Sequence, residues 1–126
     1  MIITFLGTGS GAPSTRRNVS GIALRFIQTG KWWLFDCGEG TQHQILRSPL
    51  KVSQLEKIFI THLHGDHLYG LIGLLASRSL RNDEASAVEL YGPPGVDRYI
   101  QAVMDVSPVH LHYPLHVHIV EEGTIW

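Results

Sequence analysis

The chain has 126 residues, 44% of them hydrophobic, and a formal net charge of -1. That length suits one compact soluble domain spanning residues 1–126, able to bury roughly two-thirds of its unfolded surface. The charge balance excludes whole-molecule steering of a polyanion, so any nucleic-acid contact needs a local basic patch. Cys37 stands alone, which excludes an intrachain disulfide and fits a reducing, cytoplasmic setting. The opening Met1-Ile2-Ile3-Thr4-Phe5 lacks the basic flank and cleavage pattern of a signal peptide. The longest apolar run, residues 68–76, is about half of what a bilayer needs, so no membrane contact is expected.

Residues 2–6 read as a short apolar strand, and residues 7–18 as a Gly-rich loop. Ile22, Leu24 and Phe26 alternate with Ala23, Arg25 and Ile27 at the period of a strand. Thr29-Gly30 makes a turn, and residues 31–36 return as the second arm of a hairpin. Residues 41–47 predict a short helix that stops before Pro49. Residues 57–61 are a β-branched and aromatic strand, and 68–79 a packed helix. Residues 80–87 are polar and acidic and predict an exposed loop. Residues 88–91 form another strand, Gly92-Pro93-Pro94-Gly95 a stiff turn, 96–106 an amphipathic helix and 115–120 a last strand. Early hairpins followed by alternating strands and helices predict an α/β layered architecture.

The chemistry concentrates in His62-Leu63-His64-Gly65-Asp66-His67, between the strand at 57–61 and the helix that follows. Three imidazoles and a carboxylate are the donors that zinc and similar divalent cations prefer. A polar loop with hydrogen-bonded histidines would explain a lone histidine, but not three in six residues around an aspartate. In extended chain His62 and His64 point the same way and can grip one ion. Asp66 and His67 follow the turn and suit a second ion. Metals about 3.5–4 Å apart can hold a hydroxide between them and clamp both oxygens of an in-line displacement.

This motif resembles the signature of the metallo-β-lactamase superfamily of binuclear hydrolases. Further blocks narrow the likeness: Phe5-Leu6-Gly7-Thr8-Gly9, Pro13 with Arg17-Asn18, Leu34-Phe35-Asp36-Cys37-Gly38-Glu39-Gly40-Thr41-Gln42-His43-Gln44, Ser77-Arg78-Ser79 and Tyr91-Gly92-Pro93. In order along nearly the whole chain they are similar to the ribonuclease Z family of tRNA 3′-processing endonucleases. The resemblance implies an αββα sandwich, of which this chain matches the amino-terminal part. It implies two Zn2+ ions, with His62 and His64 on one and Asp66 and His67 on the other, and Asp66 as general base. It also implies precursor tRNA as substrate and a homodimer. The family's later ligands, a histidine, a bridging aspartate and a final histidine, lie beyond the matched segments. The first sheet would then lack its partner and expose apolar surface. Three readings follow: a zinc-dependent endoribonuclease, a catalytically incomplete module of one, or another hydrolase of the superfamily acting on small esters.

Other clusters weigh less. Gly7-Thr8-Gly9-Ser10-Gly11 lacks a P-loop lysine and reads as a flexible turn; the resemblance implies that it lies near the metal site, where its backbone could contact a substrate phosphate. Arg16 and Arg17 are the densest positive spot. Arg17 is the candidate phosphate contact, although Thr15 stands where the family has a lysine. Asp36 is expected to accept backbone N–H bonds and shape the surroundings of the metal loop. Cys37 with His43 lacks the orienting third group of a thiol catalyst, and buried packing fits Cys37 better. His110, His112, His116 and His118 form a second cluster. His116 and His118 could present two rings on one strand face to a metal. The family places no ligand there, and a partly exposed strand face is the default.

Overall fold

A computed structural model describes residues 1–81 and 86–123. Among these, six strands form one sheet in sequence order: β1 (Ile2–Gly7), β2 (Gly21–Arg25), β3 (Trp32–Phe35), β4 (Leu55–Phe59), β5 (Val88–Gly92) and β6 (Leu115–Ile119). The first three are joined as an antiparallel meander. The pairings from β3 onward are parallel. Parallel neighbours need crossover connections. These carry α1 (Thr41–Leu46), α2 (Gly65–Leu68), α3 (Leu71–Arg81) and α4 (Val96–Val106).

Strand alternation divides the sheet into two unlike faces. Ala23, Trp32, Leu34, Leu55, Ile58, Val88 and Leu90 are completely buried, and they pack with Ile45 of α1, Leu71, Leu74 and Leu75 of α3, and Val96 and Ile100 of α4. The opposite face carries a cross-strand row, Phe5, Ile22, Phe35, Phe59, Tyr91 and His118, each in register with the next. Phe35, Phe59, Tyr91 and His118 stack successively at 4.6–5.0 Å between centroids. None of this row is fully buried, and Phe5 is 66% exposed. The described residues thus form one sheet with helices on one side, half of the expected sandwich, and the expected bare apolar surface is present.

Several expected boundaries shift. The strand expected at 57–61 starts two residues earlier and ends at Phe59, because Ile60 leaves the ladder although its N–H still reaches the Tyr91 carbonyl at 2.8 Å. The single helix expected at 68–79 is two helices with a break at Gly70. Gly70 lies against the Gly38 carbonyl so closely that any Cβ would overlap it, and its N–H donates to the Cys37 carbonyl at 3.0 Å. Leu80 and Arg81 belong to α3 rather than to the loop expected at 80–87, of which residues 82–85 lie outside the described residues. The 3-10 turn Val52–Gln54 had no counterpart in the sequence reading. Arg78, fully buried, holds it by donating to the carbonyls of Val52 and Leu55 while its guanidinium stacks over Tyr113 at 4.4 Å. A buried charge needs such partners; carbonyls and an aromatic face supply them for Nε and Nη2, while Nη1 finds none among the described residues.

Candidate metal centre

The six-residue motif starts beyond the carboxyl end of β4, where open parallel sheets place their ligand sites. Residues 60–64 are non-helical, His64 takes extended angles (φ -63°, ψ 145°) as the N-cap of α2, and Gly65 opens the helix. The entry into α2 swings Asp66 and His67 back over His62. One ligand atom from each of His62, Asp66 and His67 lies within 4.8 Å of the others. The His62 and His67 rings are 4.0 Å apart between centroids. His64 is exposed and stays outside this group, with its ring 4.8 Å from that of His62. Sequence spacing suggested His62 with His64 and Asp66 with His67. The helical turn instead brings His62 together with Asp66 and His67.

Behind the three donors sits Asp36, at the end of β3. Its φ of 62° is left-handed, which is uncommon for a residue with a side chain. The strain is held by bonds on every side. The Asp36 N–H donates to the Phe59 carbonyl at 2.8 Å, and its carboxylate accepts the Thr61 N–H at 2.8 Å. The Thr61 hydroxyl lies 2.9 Å from one carboxylate oxygen and 3.0 Å from the other. His67 Nδ1 reaches Asp36 Oδ2 at 2.7 Å, and His62 Nδ1 reaches Thr61 Oγ1 at 2.9 Å. A carboxylate accepts only, so Nδ1 of His67 donates to Asp36, which leaves Nε2 as the ring atom that could meet a metal. With the Thr61 proton directed at Asp36, His62 Nδ1 donates to the hydroxyl oxygen and its Nε2 is free as well. Both rings are thereby held in a metal-binding tautomer by outer hydrogen bonds.

Asp66 is fixed from the other side. Its Oδ2 accepts the Gly11 N–H at 2.9 Å and lies 3.3 Å from His67 Nε2. The Gly11 amide holds the carboxyl below the usual range, outweighing the opposing effect of desolvation, with lesser help from His67 and His62. Asp66 is therefore ionised at neutral pH, as a ligand must be. The donor set, two imidazole Nε2 atoms and one carboxylate, matches the three protein ligands of a catalytic zinc site.

The remaining candidates fall at different distances from this centre. Cys37 is fully buried, and burial pushes its thiol up to about 12. His43 is exposed, so the thiol–imidazole pairing is absent. Cys37 contributes through its backbone, since its N–H donates to the His67 carbonyl at 2.9 Å. Arg17 is exposed on a turn closed by Ser14, whose hydroxyl accepts the Arg17 N–H at 3.1 Å. It shares the loop that delivers Gly11 to Asp66. His110 and His112 meet edge to face at 5.0 Å, and His118 bonds Glu89 at 2.7 Å. Among the described residues no three-donor group includes any of these histidines. The sequence reading missed Thr61 and Gly11. A hydroxyl residue directly before the first histidine was a usable sign for Thr61. A backbone N–H leaves no sign.

The family model described as anti-Pycsar protein Apyc1 matches residues 1–103. The chain belongs to that family. It is also 77% identical to ribonuclease Z of Brevibacillus brevis over 126 residues, all of this chain and 40% of that protein. Ribonuclease Z of a Nostoc species matches at 60% over the same length, 39% of that protein. Among solved structures, the short form of human tRNase Z superimposes with a TM-score of 0.88 at 48% identity, over 94% of this chain and 45% of that one. A long-form RNase Z from yeast gives 0.72 at 26%, over 91% of this chain and 18% of that one. The metallo-β-lactamase fold protein YhfI from Bacillus subtilis, at 16% identity and a TM-score of 0.70, shares the fold. The ribonuclease Z likeness read from the motifs thus runs the whole length of the chain, and the fold is that of the metallo-β-lactamases. The chain spans about 40% of the length of the curated relatives it matches.

Proposed function

We propose that this chain contributes the amino-terminal metal-binding half of a zinc-dependent endoribonuclease that removes the 3′ trailer from precursor tRNA. The observation that carries the reading is the convergence of His62, Asp66 and His67, with both imidazoles held in register by Asp36 and Thr61. Zinc, when bound, would supply the Lewis acidity that brings a water's pKa toward neutrality and offsets charge on the phosphoryl oxygens. His62, His67 and Asp66 would hold it, and His64, next to them in the chain, is the fourth candidate ligand. Asp66, ionised and pinned by Gly11, accepts a hydrogen bond from the attacking water and orients it toward phosphorus. Its lowered pKa makes it better at orienting the water than at removing its proton. Arg17 grips a phosphate of the RNA from the neighbouring loop. Residues 1–126 act as one domain in this scheme. The resemblance also carries a homodimer in the cytoplasm. Among the described residues no helix is long and apolar enough to cross a membrane.

The test combines metal analysis with cleavage. Purified chain with added zinc should retain metal, and cutting of a 3′-extended precursor tRNA at the mature end supports the endoribonuclease. A folded chain that binds zinc and leaves the tRNA intact supports the incomplete module, which is favoured by one specific observation: three grouped donors suit one ion rather than two. Hydrolysis of a small phosphodiester without cleavage of tRNA would move the assignment to another hydrolase of the superfamily. Sedimentation tests the dimer.

A further inference from the structure

The metal loop carries an aromatic ring that neither the core nor the donor set uses. Tyr69 closes α2, its N–H donating to the Gly65 carbonyl at 2.9 Å. Its side chain folds back over Gly65, where any Cβ would overlap the ring. One side of the ring therefore rests on bare backbone between His64 and Asp66, while the residue as a whole stays 66% exposed. An exposed tyrosine normally samples several rotamers. This one is seated by the missing side chain beneath it, next to the exposed His64.

The surroundings have a definite character. The phenol of Tyr69 lies near enough to Tyr99 of α4 to add to the burial that pushes the Tyr99 phenol up. Leu63, inside the metal motif, reaches Gly95 at the start of α4. Its Cδ1 lies 3.0 Å from where a Gly95 Cβ would sit, and Arg98 Nη2 lies 3.7 Å from that same point. Arg98 is exposed. A seated aromatic surface and a guanidinium therefore border the metal loop from α2 and α4. Stacking surfaces with cations beside them are how proteins hold unpaired nucleotides, since every base has a π face and every linkage a phosphate. The large exposed apolar side chains Ile3 and Phe5 sit on β1, the edge strand separated from β4 by β2 and β3.

We propose that Tyr69 is a base-stacking platform that seats an unpaired nucleotide of the substrate beside the metal centre, with Arg98 facing its phosphate. This rests on the nucleic-acid reading above and adds a substrate-positioning residue to it.

The probe is a short single-stranded RNA, paired with an oligomer of the same length whose nucleotides lack bases. Both are titrated into zinc-loaded chain and followed by fluorescence anisotropy. The parent should prefer the RNA. Tyr69→Ala should weaken RNA binding roughly 5- to 150-fold, the range of one base–aromatic stack, and leave the abasic oligomer unchanged. Tyr69→Phe should bind within about twofold of the parent, because stacking does not need the hydroxyl. Gly65→Ala, which displaces the ring without removing it, should fall between. Equal RNA affinity for parent, Tyr69→Ala and Tyr69→Phe overturns the platform and leaves the nuclease reading standing. A parent that binds neither oligomer overturns both. A change from dimer to monomer on Tyr69→Ala in sedimentation, with RNA affinity intact, assigns the ring to a subunit contact and also overturns the platform.

Discussion

Two histidine-rich regions of this chain behave differently. Residues 62–67 and residues 110–118 each crowd imidazoles into a short span. Among the described residues the first gathers a three-donor centre and the second does not. The contrast lies behind the rings. In the first region the buried carboxylate of Asp36 reaches His67 directly and His62 through Thr61, and a helical turn folds Asp66 against His67. In the second, His118 lies on strand β6 with a solvent-exposed bond to Glu89, and the strand's flat geometry brings no third donor near it. Imidazole density makes a metal site possible. An outer carboxylate that fixes the tautomer, and a turn that converges the donors, make one.

The sharpest way to break the contrast is Asp66→Ala, which removes a donor outright. Zinc affinity, read by calorimetric titration, should fall by more than the roughly 100-fold that losing an outer-sphere group can cost; an affinity equal to the parent's would refute the assignment of Asp66. Next comes Asp36→Ala, which touches no metal and frees both rings. Zinc affinity, read by calorimetric titration, should drop about 10- to 100-fold. An unchanged affinity would show that the outer bonds are incidental. Gly38→Ala probes the backbone that backs the centre, since its Cβ would overlap the Asp66 carbonyl and the Val19 side chain. Overpacking of this kind costs about 1–3 kcal/mol, visible in a denaturant melt.

Cys37 supplies a pH test. Burial raises its thiol to about 12, so the folded chain keeps a proton that the unfolded chain releases above pH 9. A raised acid pKa means that stability is full below pH 9 and declines as pH rises toward 12. Tyr113, also raised to about 12, adds to the upper part of that window. The melting temperature should fall with pH above 9, less steeply in Cys37→Ala, and the parent thiol should ignore a disulfide reagent at pH 8 until the chain is unfolded. The smallest effect is expected at the second region. Glu89→Ala should leave zinc affinity unchanged and cost at most about 1 kcal/mol, because the His118–Glu89 pair is exposed.

Much of this molecule could be read in one dimension. Alternation of apolar residues placed β1 to β3, and α4 at residues 96–106 was located to the residue, because local period and Gly–Pro punctuation are properties of short segments. The candidate donors His62, His64, Asp66 and His67 were equally plain as candidates, since ligand chemistry belongs to the side chain. What tertiary structure decided was grouping and support. Pairing by sequence spacing joined His62 to His64, whereas the turn into α2 joined His62 to Asp66 and His67. The break at Gly70 arose from a close approach to Gly38, 32 residues earlier in the chain. The Gly11 amide on Asp66 and the Asp36 bonds to Thr61 and His67 link segments 25 to 55 residues apart. No local pattern encodes such contacts. They exist because the sheet brings the carboxyl ends of β3 and β4 side by side and the loop after β1 closes over them.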